Sequence, residues 1–124
     1  MDDAVAVALE RDRVVDITTT GRHSGEPRRL EIWIHHLAGR HYITGTPGPR
    51  AWYANLVAHP RFVLHLKESA TADLPASARP ITADEERREV FGALLPGLPF
   101  ETKTHEWLAG SPLVEVELSV PSKT

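Results

Sequence analysis

The sequence predicts a mainly β, α+β chain: an antiparallel barrel or sheet carrying two or three short helices. Three observations predict it. Apolar residues alternate at the period of a strand in several short segments, helical periodicity is confined to a few short stretches, and the two do not alternate regularly as a doubly wound parallel fold requires. With 124 residues, 41% hydrophobic and 25% charged, the composition is that of a folded globular chain, and a single domain over residues 1–124 is expected.

Asp2 to Arg11 is the first helical candidate. Val14 to Thr20 is rich in β-branched residues, and in Arg29 to His36 the apolar Leu30, Ile32 and Ile34 alternate with Glu31, Trp33 and His35, so both read as strands. Leu37-Ala38-Gly39-Arg40 is a turn-like link into a third strand, His41 to Thr46, which makes a hairpin of the second and third strands. Ala51 to Ala58 fits a two-turn helix that must stop near His59, because Pro60 disfavours helical backbone in the residue before it. Phe62, Leu64 and Leu66 mark a fourth strand, and a short one is expected within Ala76 to Pro80. Thr82 with Glu85 three residues on is a capping-box pattern, and Val90, Phe91, Leu94 and Leu95 then recur on one helical face. Val114, Val116 and Leu118, alternating with Glu115 and Glu117, give the last strand.

Several function classes fall away. The net charge is −3, without the basic field a nucleic-acid binder needs. The start of the chain, Met1 to Leu9, is acidic where a secretory signal is basic, and its apolar run is far short of the roughly 20 residues that span a bilayer. A cytoplasmic protein with no membrane span is expected. Having no cysteine, the chain offers no thiolate nucleophile, disulfide or thiolate metal ligand. Seven histidines raise the question of a metal, yet no HExxH pattern exists, and His35 and His36 point to opposite faces of one strand. His35 and His65 read as polar residues of a sheet face. Ser24 stands in no nucleophile-elbow context, so no catalytic residue is assigned.

Two stretches carry chemistry. In Thr18-Thr19-Thr20-Gly21-Arg22-His23-Ser24-Gly25-Glu26-Pro27-Arg28-Arg29, the glycines let backbone amides turn inward, Ser24 adds a hydroxyl, and Arg22, Arg28 and Arg29 offer forked donors for phosphate or carboxylate. The alternative is a solvated loop whose arginines pair with surface acids. In Gly45-Thr46-Pro47-Gly48-Pro49-Arg50-Ala51-Trp52-Tyr53-Ala54-Asn55-Leu56, a rigid turn feeds a helix on which Trp52 and Tyr53 suit the wall of a planar-ring site and Asn55 suits orientation by hydrogen bonding. The alternative is that both aromatics are ordinary core.

The ordered pair TTGR-x-SG-x-PR, from Thr18 to Arg28, and WY-x-NL, from Trp52 to Leu56, with His59-Pro60 behind it, resembles the deazaflavin (F420)-dependent nitroreductase family of split β-barrel, FMN-binding-like proteins. The likeness runs from about Val14 to Leu118. It implies an antiparallel split barrel that binds the deazaflavin coenzyme F420 and passes hydride to an organic acceptor; the expectation is an F420-dependent reductase, a homodimer, acting on a small or medium hydrophobic acceptor such as a quinone or enone. It further implies that Arg22, His23, Ser24 and Arg28 receive the phosphate of the cofactor tail, while Thr44, Thr46, Trp52 and Asn55 border the ring. Open alternatives are an FMN- or haem-binding barrel and a non-catalytic ligand-binding relative. The chain departs from the family where His23 replaces the usual lysine, where the linker before Trp52 is short, and where Leu95 to Glu101 lacks the tyrosines of nitro-reducing members. Phe100 and Trp107 offer a different, more apolar pocket lining in their place, or ordinary packing.

Overall fold

In a computed structural model that describes residues 2–119, six antiparallel strands close into a barrel in the order β1-β2-β3-β6-β5-β4. The strands are β1 (Val14–Thr20), β2 (Pro27–Leu37), β3 (Arg40–Thr44), β4 (Arg61–Leu66), β5 (Ala72–Pro80) and β6 (Leu113–Leu118). The helices are α1 (Asp3–Arg11), α2 (Ala51–Ala58), α3 (Asp84–Leu94) and α4 (Thr104–Gly110), with a 3₁₀ turn over Leu95–Gly97. Closure leaves every strand paired on both sides, so no row of edge amides is exposed. No helix among the described residues is long and apolar enough to cross a membrane.

Register assigns the faces. Val15 pairs with Ile32, Ile17 with Leu30 and Thr19 with Arg28, so these residues share the inward face of β1 and β2; Asp16, opposite Glu31, and Thr18, opposite Arg29, share the outward one. Inside the barrel, Val15, Ile17, Ile34, Ile43, Leu64 and Val114 form one core, joined by Ala8 and Leu9 of α1 and by Trp52 and Leu56 of α2. α1 leads into the start of β1, whereas α2 reaches its end, so two helices close the core from different sides. A second core lies outside the sheet, where Tyr42 and Leu113 meet Val90, Phe91 and Leu94 of α3 and Trp107 of α4.

Several expectations need correction. Among the described residues there are four helices where two or three were expected: α4 has seven residues and buries only Trp107, too few positions for helical periodicity to register. α3 starts at Asp84 behind Ala83, with no side-chain cap, so Thr82 and Glu85 form no capping box; Asp84, Glu85 and Glu86 stabilise its first turn by charge instead. The strand expected within Ala76 to Pro80 runs from Ala72, because pairing to β4 and β6 carries it through Pro75. β3 ends at Thr44, two residues before the expected Thr46. The β2–β3 hairpin turns on Ala38 and Gly39, both left-handed with φ of 51° and 78°, as a tight two-residue turn between twisted strands demands.

Candidate functional site

The loop after β1 is closed by its own backbone. Gly21 N–H donates to Glu26 O at 2.8 Å, Gly25 N–H to Gly21 O at 2.9 Å, and Glu26 N–H to Ser24 Oγ at 3.1 Å. Gly25 has a φ of +72°, which glycine adopts without strain. A Cβ at Gly21 would stand 2.6 Å from Ser24 Oγ and 3.3 Å from Glu26 O, so a side chain there would displace the Ser24 hydroxyl.

α2 ties this loop to the barrel through one residue. Asn55, only 5% exposed, accepts at Oδ1 from the backbone N–H and Nη1 of Arg22, both at 3.0 Å, and donates from Nδ2 to Thr19 Oγ1 at 3.4 Å. Both ends of its amide are used within the protein. Asn55 therefore positions Arg22, and Arg22 keeps its remaining guanidinium donors at the mouth of a cleft of about 400 Å³. Arg22, His23, Ser24, Arg28 and Arg29 line that cleft on the polar side, and Leu30, Ala51 and Trp52 on the apolar side.

The two neighbouring arginines of β2 divide. Arg29, on the outward face, donates Nε to Asp16 Oδ2 at 3.0 Å, and Lys67 Nζ lies 2.7 Å from Asp16 Oδ1. Lys67 and Arg29 together hold the Asp16 carboxyl below its usual range. Arg28, on the inward register, has no acidic partner among the described residues. Arg29 thus meets the surface acid of the solvated-loop alternative although it too lines the cleft, while Arg28 remains available to a ligand anion.

Thr44 and Thr46 lie elsewhere. They line a second cleft of about 250 Å³ with Trp33, His35, Gly45, Leu98, Phe100 and Trp107. Phe100 and Trp107 stack there, with centroids 6.2 Å apart and planes at 29°. Thr44 Oγ1 donates to Pro112 O, and Thr46 Oγ1 accepts from Arg50 Nη2 at 2.6 Å, so both hydroxyls also fix the turn after β3. Of the residues expected to border the ring, then, Trp52 and Asn55 belong to the first cleft and Thr44 and Thr46 to the second. Tyr53 packs edge-on to Trp52 at 6.1 Å and faces a third cleft, beside Arg50 and Arg87.

Sequence reading passed over Trp33, which is 41% exposed on the outward face of β2. Its signal was present: a tryptophan on the otherwise polar side of an alternating strand. His35, two residues on, also lines the second cleft. Burial first, then the charges of Arg13 and His36, lower its pKa to about 4. His65, by contrast, is buried between Thr18 Oγ1 and Asp73 Oδ1, each at 2.7 Å, a cross-strand polar link. Among the described residues, no group of three histidine or acidic side chains could hold a metal ion.

Comparison with known proteins agrees with this architecture. The chain is similar in structure to an F420 reductase at 16% identity, with all of both chains covered and a TM-score of 0.65. It is also similar to the F420-H2 dependent reductase FDR-A at 21% identity, over 86% of this chain and 95% of that one, with a TM-score of 0.55. An FAD-binding protein from Mesorhizobium loti shares the barrel at 11% identity, over 97% and 91% of the two chains, with a TM-score of 0.64. At such identities the likeness establishes the split-barrel fold alone; the sequence match over residues 2–99 establishes more, and by it the chain belongs to the F420H(2)-dependent quinone reductase family.

Proposed function

We propose that this F420-dependent reductase seats the anionic tail of its cofactor in the first cleft and reduces a quinone-type or related conjugated carbonyl acceptor in the second. The residues of the first cleft fit the cofactor's tail by their chemistry. Arg22 and Arg28 present charge-assisted donors, Ser24 and His23 stand beside them, and the backbone bonds of Gly21 to Glu26 and of Gly25 to Gly21 hold the loop that carries them. Arg22 and Arg28 are the cleft's arginines without an acidic partner among the described residues, Arg29 being held by Asp16.

Bound F420 in its reduced form supplies hydride, and the protein's part is to orient, dry and polarise. Trp52 lies at the apolar edge of the first cleft, and Gly45 to Ala51 runs from the second cleft to it, so ring and acceptor are assigned to the Thr44–Thr46 end of β3. The observation that carries the acceptor assignment is the second cleft itself. Trp33, Phe100 and Trp107 give a flat apolar lining without a charged side chain, suited to a planar neutral ring. Phe100 and Trp107 lie past residue 99, outside the stretch that matches the family. The reading includes a homodimer, supported by a similar solved structure described as a domain-swapped dimer, at 21% identity over 91% of this chain.

The test is an absorbance assay in which reduced F420 is oxidised by a naphthoquinone, a cyclic enone or a nitroaromatic compound. The quinone is expected to be turned over fastest, and replacement of Trp33 by Ala to raise its KM. A nitroaromatic turned over faster than any quinone would overturn the acceptor assignment.

A further inference from the structure

We infer that His35 is a catalytic residue of the aromatic cleft: it hydrogen-bonds to the carbonyl oxygen of the acceptor and hands it a proton drawn from a polar cleft on the other side of its ring. The inference rests on the proposed reading of the second cleft as the acceptor site.

Two clefts share part of their lining. His35 and Leu98 line the aromatic cleft of about 250 Å³ and also a neighbouring cleft of about 320 Å³. The neighbour is polar, with Glu10, Arg11, Arg13 and His36 in its lining. Other buried or half-buried imidazoles of this barrel are already engaged. His36 donates from Nε2 to Asp12 O at 2.9 Å, since a carbonyl can only accept, and its Nδ1 shares a hydrogen bond with Nδ1 of His41 at 2.8 Å. His65 is held between Thr18 and Asp73. His35 alone of these four has no hydrogen-bonded partner among the described residues, although it is only partly exposed. An imidazole without a protein partner, standing between an aromatic slot and a polar cleft, is suited to serving a ligand on one side and water on the other.

Its charge state suits the step. Burial and the positive charge of Arg13 hold the ring neutral at pH 7, so it carries one N–H and one lone pair. When hydride adds to the acceptor carbon, the carbonyl π pair moves to oxygen. The His35 N–H bond breaks as the O–H bond forms, and the opposite nitrogen takes a proton from water in the polar cleft, leaving hydroxide to the solvent. The sum is one hydride and one proton added per acceptor, with His35 returned as the other tautomer. No imidazolium is required, so the depressed basicity is no obstacle.

The experiment compares two acceptors with different proton demands, using the full chain and reduced F420. A naphthoquinone needs a proton on oxygen, whereas N-methylacridinium takes hydride at carbon and needs none. His35→Phe is expected to lower kcat for the quinone at least tenfold and to change kcat for the acridinium less than twofold, with F420 affinity unchanged. In His35→Ala, added imidazole is expected to restore part of the quinone rate. Equal loss on both acceptors, no loss on either, or no imidazole rescue would overturn the inference. Should His35→Phe fail to fold, His35→Gln, which keeps an N–H but cannot relay, must show the same selective loss. Wild-type protein that reduces neither acceptor would defeat the proposed function, and this inference with it.

Discussion

At the scale of the residue, the argument turns on which polar groups the fold leaves without partners. Arg28 and Arg29 are neighbours in sequence and both line the first cleft, yet strand alternation gives the Asp16 carboxylate to Arg29 alone. Arg28→Ala is expected to weaken F420 binding by about ten- to a hundredfold, the range for a lost hydrogen bond to a charged group. Arg29→Ala is expected to change binding little, and fluorescence titration of both variants checks the contrast. His35 makes a separate prediction for stability. Its pKa is lowered from 6.5 to about 4 in the fold, so between those values the unfolded chain holds a proton that the folded one refuses. Stability therefore falls as the pH drops through that window, by about 1–3 kcal/mol for a group still partly exposed, and His41 shifts in the same direction. Urea unfolding of wild type and His35→Phe at pH 7 and pH 4.5 is expected to show a smaller loss in the variant.

At the scale of the element, two details bear most weight. Arg87 of α3 is buried and donates to four backbone carbonyls, those of Ile81, Trp107, Leu108 and Ser111, while its guanidinium lies 5.2 Å from the Phe91 ring centroid. One of these carbonyls, that of Leu108, lies in the last turn of α4, where the helix has no further N–H to offer. Arg87→Met is expected to cost about 3–5 kcal/mol, seen as a lower thermal midpoint, because the acceptors stay buried without a donor. Ala38 is left-handed in a turn that favours asparagine or glycine, so Ala38→Asn is expected to stabilise the hairpin by about 0.5–1 kcal/mol, seen as a higher urea midpoint. Strands with alternating branched residues, β1, β2, β4 and β6, were legible because their own side chains carry the period. β5 was only partly legible, since Ala72–Pro80 holds two prolines and no β-branched residue and is a strand by virtue of its neighbours. α4 was illegible for a related reason: its partner, Arg87, lies some 20 residues away in the chain.

At the scale of the whole molecule, the closed barrel fixes the loop after β1, the mouth of α2 and the outer face of β2 relative to one another. The first cleft was legible because its donors are contiguous in sequence, with Asn55 as the one distant member. The second was only half legible. Trp33, Thr44 and Trp107 come together through the pairing of β2 with β3 and the docking of α4, which no local pattern announces. The proposed homodimer carries its own expectation: light scattering should give a mass about twice 13.7 kDa, and a strictly monomeric protein with full activity would remove the dimer from the account.

The most direct measurement of the central claim is a binding cycle. F420 and its tailless deazaflavin fragment, which lacks the phosphate, are each titrated into wild type and Arg28→Ala. If the arginine loop holds the tail, wild type will bind F420 far more tightly than the fragment, and Arg28→Ala will lose most of that preference while binding the fragment nearly unchanged. Equal affinity of wild type for the two ligands, or a preference that survives in the variant, would contradict the account.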